Sequence, residues 1–239
     1  MGDATTGRTF EIQGRTIGFP VEVRSARMAN AVYTVPAEAA AVLLDDPAFE
    51  VDADAHGAAS VVVGFVDYLD NDLGDYDEVM LSMMATAKAD GTQGTYIWRL
   101  PVNQGFTCEA GVRMLGLPKT VEDITIERDD SSVTCTLRSG SALVLRQRFP
   151  TLADVEAVPM PSPTICLSTI DGVPSISESE PTGSLRMAFG ADGYSLELGD
   201  HPWADELRSL GLDGASPTVV TVCDDWRSNF LEPTPVAGA

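Results

Sequence analysis

The sequence predicts a mainly β fold of the α+β class, mostly antiparallel, with a few peripheral helices. Short segments rich in Val, Ile, Thr, Tyr and Phe recur from Thr9 to Cys223, divided by Gly, Pro, Asp and Ser turns. Only three stretches carry helical signals. The chain has 239 residues, 44% of them hydrophobic, with a mean hydropathy of +0.03, so it can bury a substantial core without staples. We expect a single domain over residues 1–239, with the Pro-rich span Val158–Pro163 as a connection inside it.

From Thr9 to Val23 the apolar residues Phe10, Ile12, Ile17, Val21 and Val23 alternate around Gly14 and Gly18, which predicts a hairpin or two short strands. Ala29 to Val35 continues as a strand. Pro36 to Leu44 reads as a helix opened by proline in its first turn. Ser60 to Leu69 is a buried strand that leads into an acidic loop. Glu78 to Ala87 and Thr95 to Val102 are long strands, and Gln104 to Leu115 is a short helix. Val121 to Glu127, Val133 to Leu137, Ala142 to Arg148, Thr164 to Ile170, Ser184 to Phe189 and Tyr194 to Leu198 are further strands. A helix from Trp203 to Leu210 and a last strand from Thr218 to Cys223 follow.

A net charge of −21 argues against nucleic acid and against an anionic membrane surface as partners, since both attract clustered Lys and Arg. Cys108, Cys135, Cys166 and Cys223 are scattered without a Cys-x-x-Cys pair, which predicts free buried thiols and a reducing, cytoplasmic setting. Met1 to Arg8 lacks the apolar core of a signal peptide, although Met1 to Thr6 formally fits a myristoylation pattern. Read as an EF-hand from Asp70, the acidic loop would put Gly74 at the fifth ligand and Asp75 at the obligatory glycine, so no metal is expected. The sequence also lacks Gly-x-Gly-x-x-Gly, Walker, His-Glu-x-x-His and Gly-x-Ser-x-Gly motifs, and with His56 and His201 alone it has little material for a histidine site. His201 reads as a packed turn residue, and no cofactor is called for.

The chemistry points instead to lysine. The chain holds thirteen arginines but only Lys88 and Lys119, and Lys119 ends the run Arg113-Met114-Leu115-Gly116-Leu117-Pro118. Lysine can lose its proton and attack a carbonyl, which arginine cannot do. Met114, Leu115 and Leu117 could wall off the amine, and burial disfavours the ammonium. Lys88, in a turn, reads as an ordinary surface lysine.

Gly116-Leu117-Pro118-Lys119, preceded by Gly111-Val112-Arg113-Met114-Leu115, resembles the Schiff-base lysine motif of acetoacetate decarboxylases. Gly74-Asp75-Tyr76-Asp77-Glu78, which is 119 − 78 = 41 residues upstream, resembles that family's active-site glutamate loop. Leu196-Glu197-Leu198-Gly199-Asp200-His201-Pro202 resembles its late strand and turn. The resemblance implies an antiparallel β-barrel or cone, a homo-oligomer, and Lys119, Glu78 and Arg27 as catalytic residues. Arg27, with Arg24 as competitor, would grip the substrate carboxylate. Leu117, Met114 and Met83 are the expected substrate-binding walls.

The sequence departs from the family at two places. Many members carry a second lysine after the nucleophile, and here that position is Thr120, so desolvation alone would have to lower the amine's pKa. A second pocket glutamate would fall at Val66. The implied reaction is decarboxylation of a small β-keto acid through an iminium and an enamine. The alternatives are an aldolase-dehydratase acting on pyruvate-like oxo acids with the same lysine, or a non-catalytic small-molecule-binding barrel.

Overall fold

We describe the protein from a computed structural model covering residues 7–190 and 192–238. The myristoylation-like pattern at Met1 to Thr6 lies outside the described residues. Strands β1 (Thr9–Ile12) and β2 (Arg15–Gly18) form the expected hairpin, turned by Gln13 and Gly14, both at positive φ. Positive φ at both turn residues matches the twist of the flanking strands. Strand β3 runs unbroken over Val21–Pro36, and helix α1 is shorter than expected, Ala37–Ala41. A strand absent from the sequence reading, β4 (Phe49–Val51), precedes the long hairpin of β5 (Ala58–Asn71) and β6 (Tyr76–Ala87). Strand β7 (Gln93–Val102) leads into helix α2 (Gly105–Leu115).

Beyond α2 the expected strand from Val121 to Glu127 is two elements, β8 (Lys119–Val121) and β9 (Asp123–Arg128), which break at Glu122 and enter different sheets. Then come β10 (Ser132–Ser139), β11 (Ala142–Pro150), β12 (Val158–Pro159), β13 (Thr164–Ile170), β14 (Val173–Ser179), β15 (Ser184–Phe189) and β16 (Ser195–Leu198). Helix α3 (Pro202–Ser209) precedes β17 (Val219–Phe230) and β18 (Thr234–Pro235). Strand β14 and the second half of β17 are additions to the sequence reading.

The large sheet contains the order β17-β3-β5-β6-β7-β13-β14. A bridge between Ser179 of β14 and Phe230 of β17 joins its two ends, so these seven strands close a barrel. The pairing is antiparallel except where β7 meets β13 and β8. The barrel expectation holds, and closure leaves its strands without free edges. A second sheet, ordered β16-β11-β10-β9, packs against the outside of β3, β5 and β6. Val61, Val63, Phe65, Val79, Leu81 and Met83 meet Val133, Leu137, Leu145 and Phe149 there in one buried cluster. A separate cluster fills one end of the barrel, with Val66, Tyr68, Tyr76, Met114, Leu115 and Trp226 among its members.

No helix among the described residues is long and apolar enough to cross a membrane. The four cysteines are free, as expected, with Cys135 and Cys223 buried and Cys108 and Cys166 partly so.

Candidate active site

A cavity of about 170 Å3 occupies the barrel end, lined by residues from all seven barrel strands. Its wall is almost wholly apolar, including Met28, Val66, Met80, Ile97, Leu100 and Leu117. Lys119 and Glu78 are the charged side chains that line it.

Local structure brings Lys119 to this place. Gln104 caps α2 by accepting a hydrogen bond from the Thr107 backbone N–H at 2.7 Å, a contact worth about 1 kcal/mol. At the other end Gly116 adopts φ 64°, and a Cβ there would lie 2.6 Å from the Thr169 carbonyl oxygen. Glycine therefore serves both the left-handed cap and the close approach. The chain then turns through Leu117 and Pro118, and β8 pairs in parallel with β7, setting Lys119 opposite Leu100. Along α2, Gly111 leaves room for the lysine stem, since a Cβ at that position would lie 2.6 Å from Lys119 Cδ and 2.7 Å from Cε.

Glu78 arrives on β6, the neighbour of β7 on the side away from β13. Gly74, at φ 90°, turns β5 into β6, and strand alternation then points Tyr76, Glu78 and Met80 inward. Lys119 Nζ lies 2.7 Å from Glu78 Oε2, with both side chains less than 10% exposed. The amine also donates to Thr107 Oγ1 at 3.4 Å and Tyr76 Oη at 3.5 Å. Tyr68 stacks on Tyr76, with centroids 4.3 Å apart, and its hydroxyl donates to Glu78 Oε1 at 3.4 Å.

Burial is the largest single influence on Lys119 and pushes its pKa down, as the sequence predicts. Glu78 and Tyr76 together outweigh it, and the net direction is up. A carboxylate at 2.7 Å from a buried amine stabilises the ammonium strongly. The expectation of an amine kept uncharged by desolvation is therefore corrected. At rest the proton sits on Lys119, in a buried ion pair. Burial pushes Tyr68 up as well.

The other expected site residues divide. Leu117 lines the cavity. Met114 is buried in the same apolar cluster but stands behind the wall. Met83 faces the second sheet, and Met80 takes the inward place, because residues 78 and 80 share one face of β6 while 79, 81 and 83 share the other. Arg27 does not line the cavity. It pairs across the ladder with Asp67, its guanidinium 3.8 Å from that carboxylate on the outer face, and Met28 is the inward neighbour. Arg24 is held outside by Asp70 at 2.8 Å and Asp72 at 2.7 Å. The carboxylate grip expected of either arginine is thus not built into this cavity. Val66, where a second glutamate would fall, faces inward between Met28 and Glu78.

The late motif has a structural role. His201 caps α3 by accepting the Trp203 backbone N–H at 3.2 Å, and a Cβ at Gly199 would lie 1.9 Å from the Leu143 carbonyl oxygen. Among the described residues no group of three or more His, Cys, Asp or Glu is placed to hold a metal ion.

Solved structures share this architecture. An acetoacetate decarboxylase superposes with a TM-score of 0.68 at 18% identity, over 91% of this chain and 89% of the other. The acetoacetate decarboxylase of Legionella pneumophila gives 0.68 at 16% identity, over 99% and 98%. The enduracididine biosynthesis enzyme MppR, complexed with the condensation product of pyruvate and imidazole 4-carboxaldehyde, gives 0.67 at 16% identity, over 98% of both. No curated protein matches the sequence. The family model for acetoacetate decarboxylase (ADC) matches residues 11–221, spanning the glutamate loop, the lysine and the late motif, and the chain belongs to that family.

Proposed function

We propose that the protein is a Schiff-base-forming carbon–carbon lyase that decarboxylates a small β-keto acid at Lys119. The observation that carries the reading is the Lys119–Glu78 pair, 2.7 Å apart in an apolar cavity large enough for a few heavy atoms. As the ketone arrives, Lys119 passes a proton to Glu78, and the neutral amine adds to the carbonyl carbon. Glu78 returns that proton to the carbinol oxygen, which leaves as water, and an iminium remains. Carbon dioxide departs and leaves its bonding pair in the C–C=N unit, which becomes a neutral enamine. A proton drawn from solvent through Glu78 adds to the enamine carbon, and water then releases the ketone and regenerates the ammonium. The apolar wall assists, because the carboxylate charge is lost in the step.

MppR is the relative that favours a second reading. Its structure holds a pyruvate condensation product, and an enamine on Lys119 could attack an aldehyde in the same way.

Borohydride trapping tests the proposal. Acetoacetate or pyruvate with cyanoborohydride should leave a covalent adduct that peptide mass mapping places on Lys119. An adduct on Lys88 would refute the site, and no adduct would leave a non-catalytic binding barrel. Carbon dioxide release from acetoacetate separates the decarboxylase from the aldolase.

A further inference from the structure

Glu78 lines the cavity in a row with Val66 and Met28, and two further rows continue the same face along the strands. The first is Met187-Thr221-Asn30-Gly64-Met80, and the second is Phe189-Val219-Val32-Val62-Ser82-Ile97. Residues two apart on a strand share a face, so both rows look to the cavity side, and Met80 and Ile97 are part of its wall. Beyond the cavity this concave face is open. Val32, Val62 and Val219 are partly exposed, Met187 is 40% exposed and Phe189 is 82% exposed. A Cβ at Gly64 would collide with the Asn30 side chain, so the glycine keeps the floor of the trough low. In a chain that is 21% charged, none of the residues in these two rows carries a charge. A contiguous exposed apolar face marks a binding surface.

We propose that this trough holds the tail of the substrate, so that the preferred acid is a β-keto acid with an extended alkyl chain. The inference rests on the Schiff-base reading above and lengthens the acid beyond the cavity. With the oxo carbon at Lys119 Nζ, a cavity of about 170 Å3 takes the oxo-acid head and little more, and a longer chain has to leave it. An outer cleft shares Leu117 and Ile97 with the cavity, but it carries the carboxylates of Asp45 and Asp46, which an alkyl chain would desolvate without compensation. The trough shares Met80 and Ile97 and offers Val62, Val32 and Val219 instead, apolar surface that gains from being covered. From Glu78 to Ser82 the rows advance four residues along β6, about 13 Å at 3.3 Å per residue, a length that suits a chain of many methylenes. Two copies of the protein would meet here concave to concave, so the shape favours a narrow chain over a second copy.

Cyanoborohydride trapping on Lys119 tests the assignment, with acetoacetate and 3-oxododecanoate compared below the micelle-forming concentration of the longer acid. The unaltered protein should reach half-saturation with at least about tenfold less of the longer acid. Val62→Asp should erase that preference, and Val62→Thr, which keeps the shape and adds a hydroxyl, should reduce it by about threefold. Val42→Asp, at an exposed valine outside the trough, should leave it unchanged. Equal response to the two acids in the unaltered protein, or an undiminished preference in both Val62 variants, overturns the tail site and leaves the lysine chemistry standing. Light scattering that shows an oligomer dissociated by Phe189→Asp, together with no preference for the longer acid, gives the trough to a second copy and overturns the tail site as well. If the unaltered protein traps neither acid on Lys119, the Schiff-base reading falls and the tail site with it.

Discussion

Two adjacent rows of the same three strands have opposite characters. The inner row, Met28-Val66-Glu78, runs across β3, β5 and β6 and faces the cavity. One residue over on each strand, the outer row Arg27-Asp67-Asp77 crosses the same strands on the far face. Each row contributes a carboxylate to a cation from elsewhere: Glu78 to Lys119 at 2.7 Å inside, Asp67 to Arg128 at 3.6 Å outside. Inside, both partners are buried. Outside, Arg27 is 40% exposed and shares Asp67 with Arg128, which also reaches Asp224. Solvent weakens the outer contacts to about 1 kcal/mol or less each, whereas breaking a buried pair by removing one partner costs about 3–5 kcal/mol. Similar chemical groups, shifted by one residue, thus yield a buried ion pair in the cavity on one face and a surface network on the other.

Replacing each row's charge exposes the largest difference. Glu78→Gln should lower kcat for decarboxylation by about 10²–10⁴, the range for losing a positioned proton carrier. The same change removes the main influence raising Lys119 and leaves burial, which pushes it down. The pH midpoint for adduct formation should therefore move to lower pH, by at least about one unit, a shift of about 1.4 kcal/mol. Arg27→Ala on the outer row should alter kcat less than about twofold and stability by less than about 1 kcal/mol. Steady-state kinetics on both variants checks this, and a large loss in Arg27→Ala would return that residue to the active site.

A smaller effect follows from the space that α2 leaves for the amine. Gly111→Ala puts a methyl group against the Lys119 stem, which has to move by a good fraction of an ångström. If Lys119 is the nucleophile proposed above, a displacement near 1 Å costs about 10²-fold in rate. Arg27, remote from that contact, offers no such sensitivity. Comparing kcat in Gly111→Ala with that of the exposed-turn variant Gly91→Ala, whose Cβ would meet nothing, separates crowding from general backbone strain.

The contrast between rows also explains what the sequence could and could not reveal. Lys119 stood out as one of two lysines and Glu78 came with the family resemblance, and both line the cavity together with Leu117. Arg27 and Met83 were misplaced for one shared reason: on a strand, an offset of one residue reverses the face. Nothing in the local pattern distinguishes residues 27 and 28, because charged and apolar neighbours alternate on both sides of the barrel wall. The ionisation of Lys119 depends on a contact 41 residues away in sequence, so desolvation alone gave the wrong sign. Strand β14 was invisible because its inward residues are serines, Ser175, Ser177 and Ser179, which read as a turn. Asp224 and Asp225 masked the continuation of β17, where the register shifts between Cys223 and Trp226. The barrel was readable from its apolar strands, and the serine-bearing strand β14 that helps close it was not.

The gentlest test compares how the two rows respond to pH. On the outer row, burial first and the Asp67 charge second push the Asp77 carboxyl up to about 6, against the partial relief of Asn103 and Arg128. A carboxyl raised in the folded state favours folding while protonated, so its contribution is complete below its ordinary value of 3.8 and lost as pH rises through about 6. The full shift corresponds to about 3 kcal/mol, which partial exposure screens to about 1 kcal/mol. Lys119 behaves otherwise: its pKa is raised, so its contribution is present throughout the neutral range and lost only in strong alkali. Asp77→Asn keeps an acceptor for the Asn103 side-chain amide, now donating at 2.9 Å, while removing the titrating charge. Urea unfolding at pH 7.5 and pH 5 should show the unaltered protein gaining about 0.5 kcal/mol from this group on acidification, about half of its full contribution, and the variant lacking that gain. If both gain equally, the pH response belongs to other carboxylates, and Asp77 is better solvated than its place beside Asp67 implies.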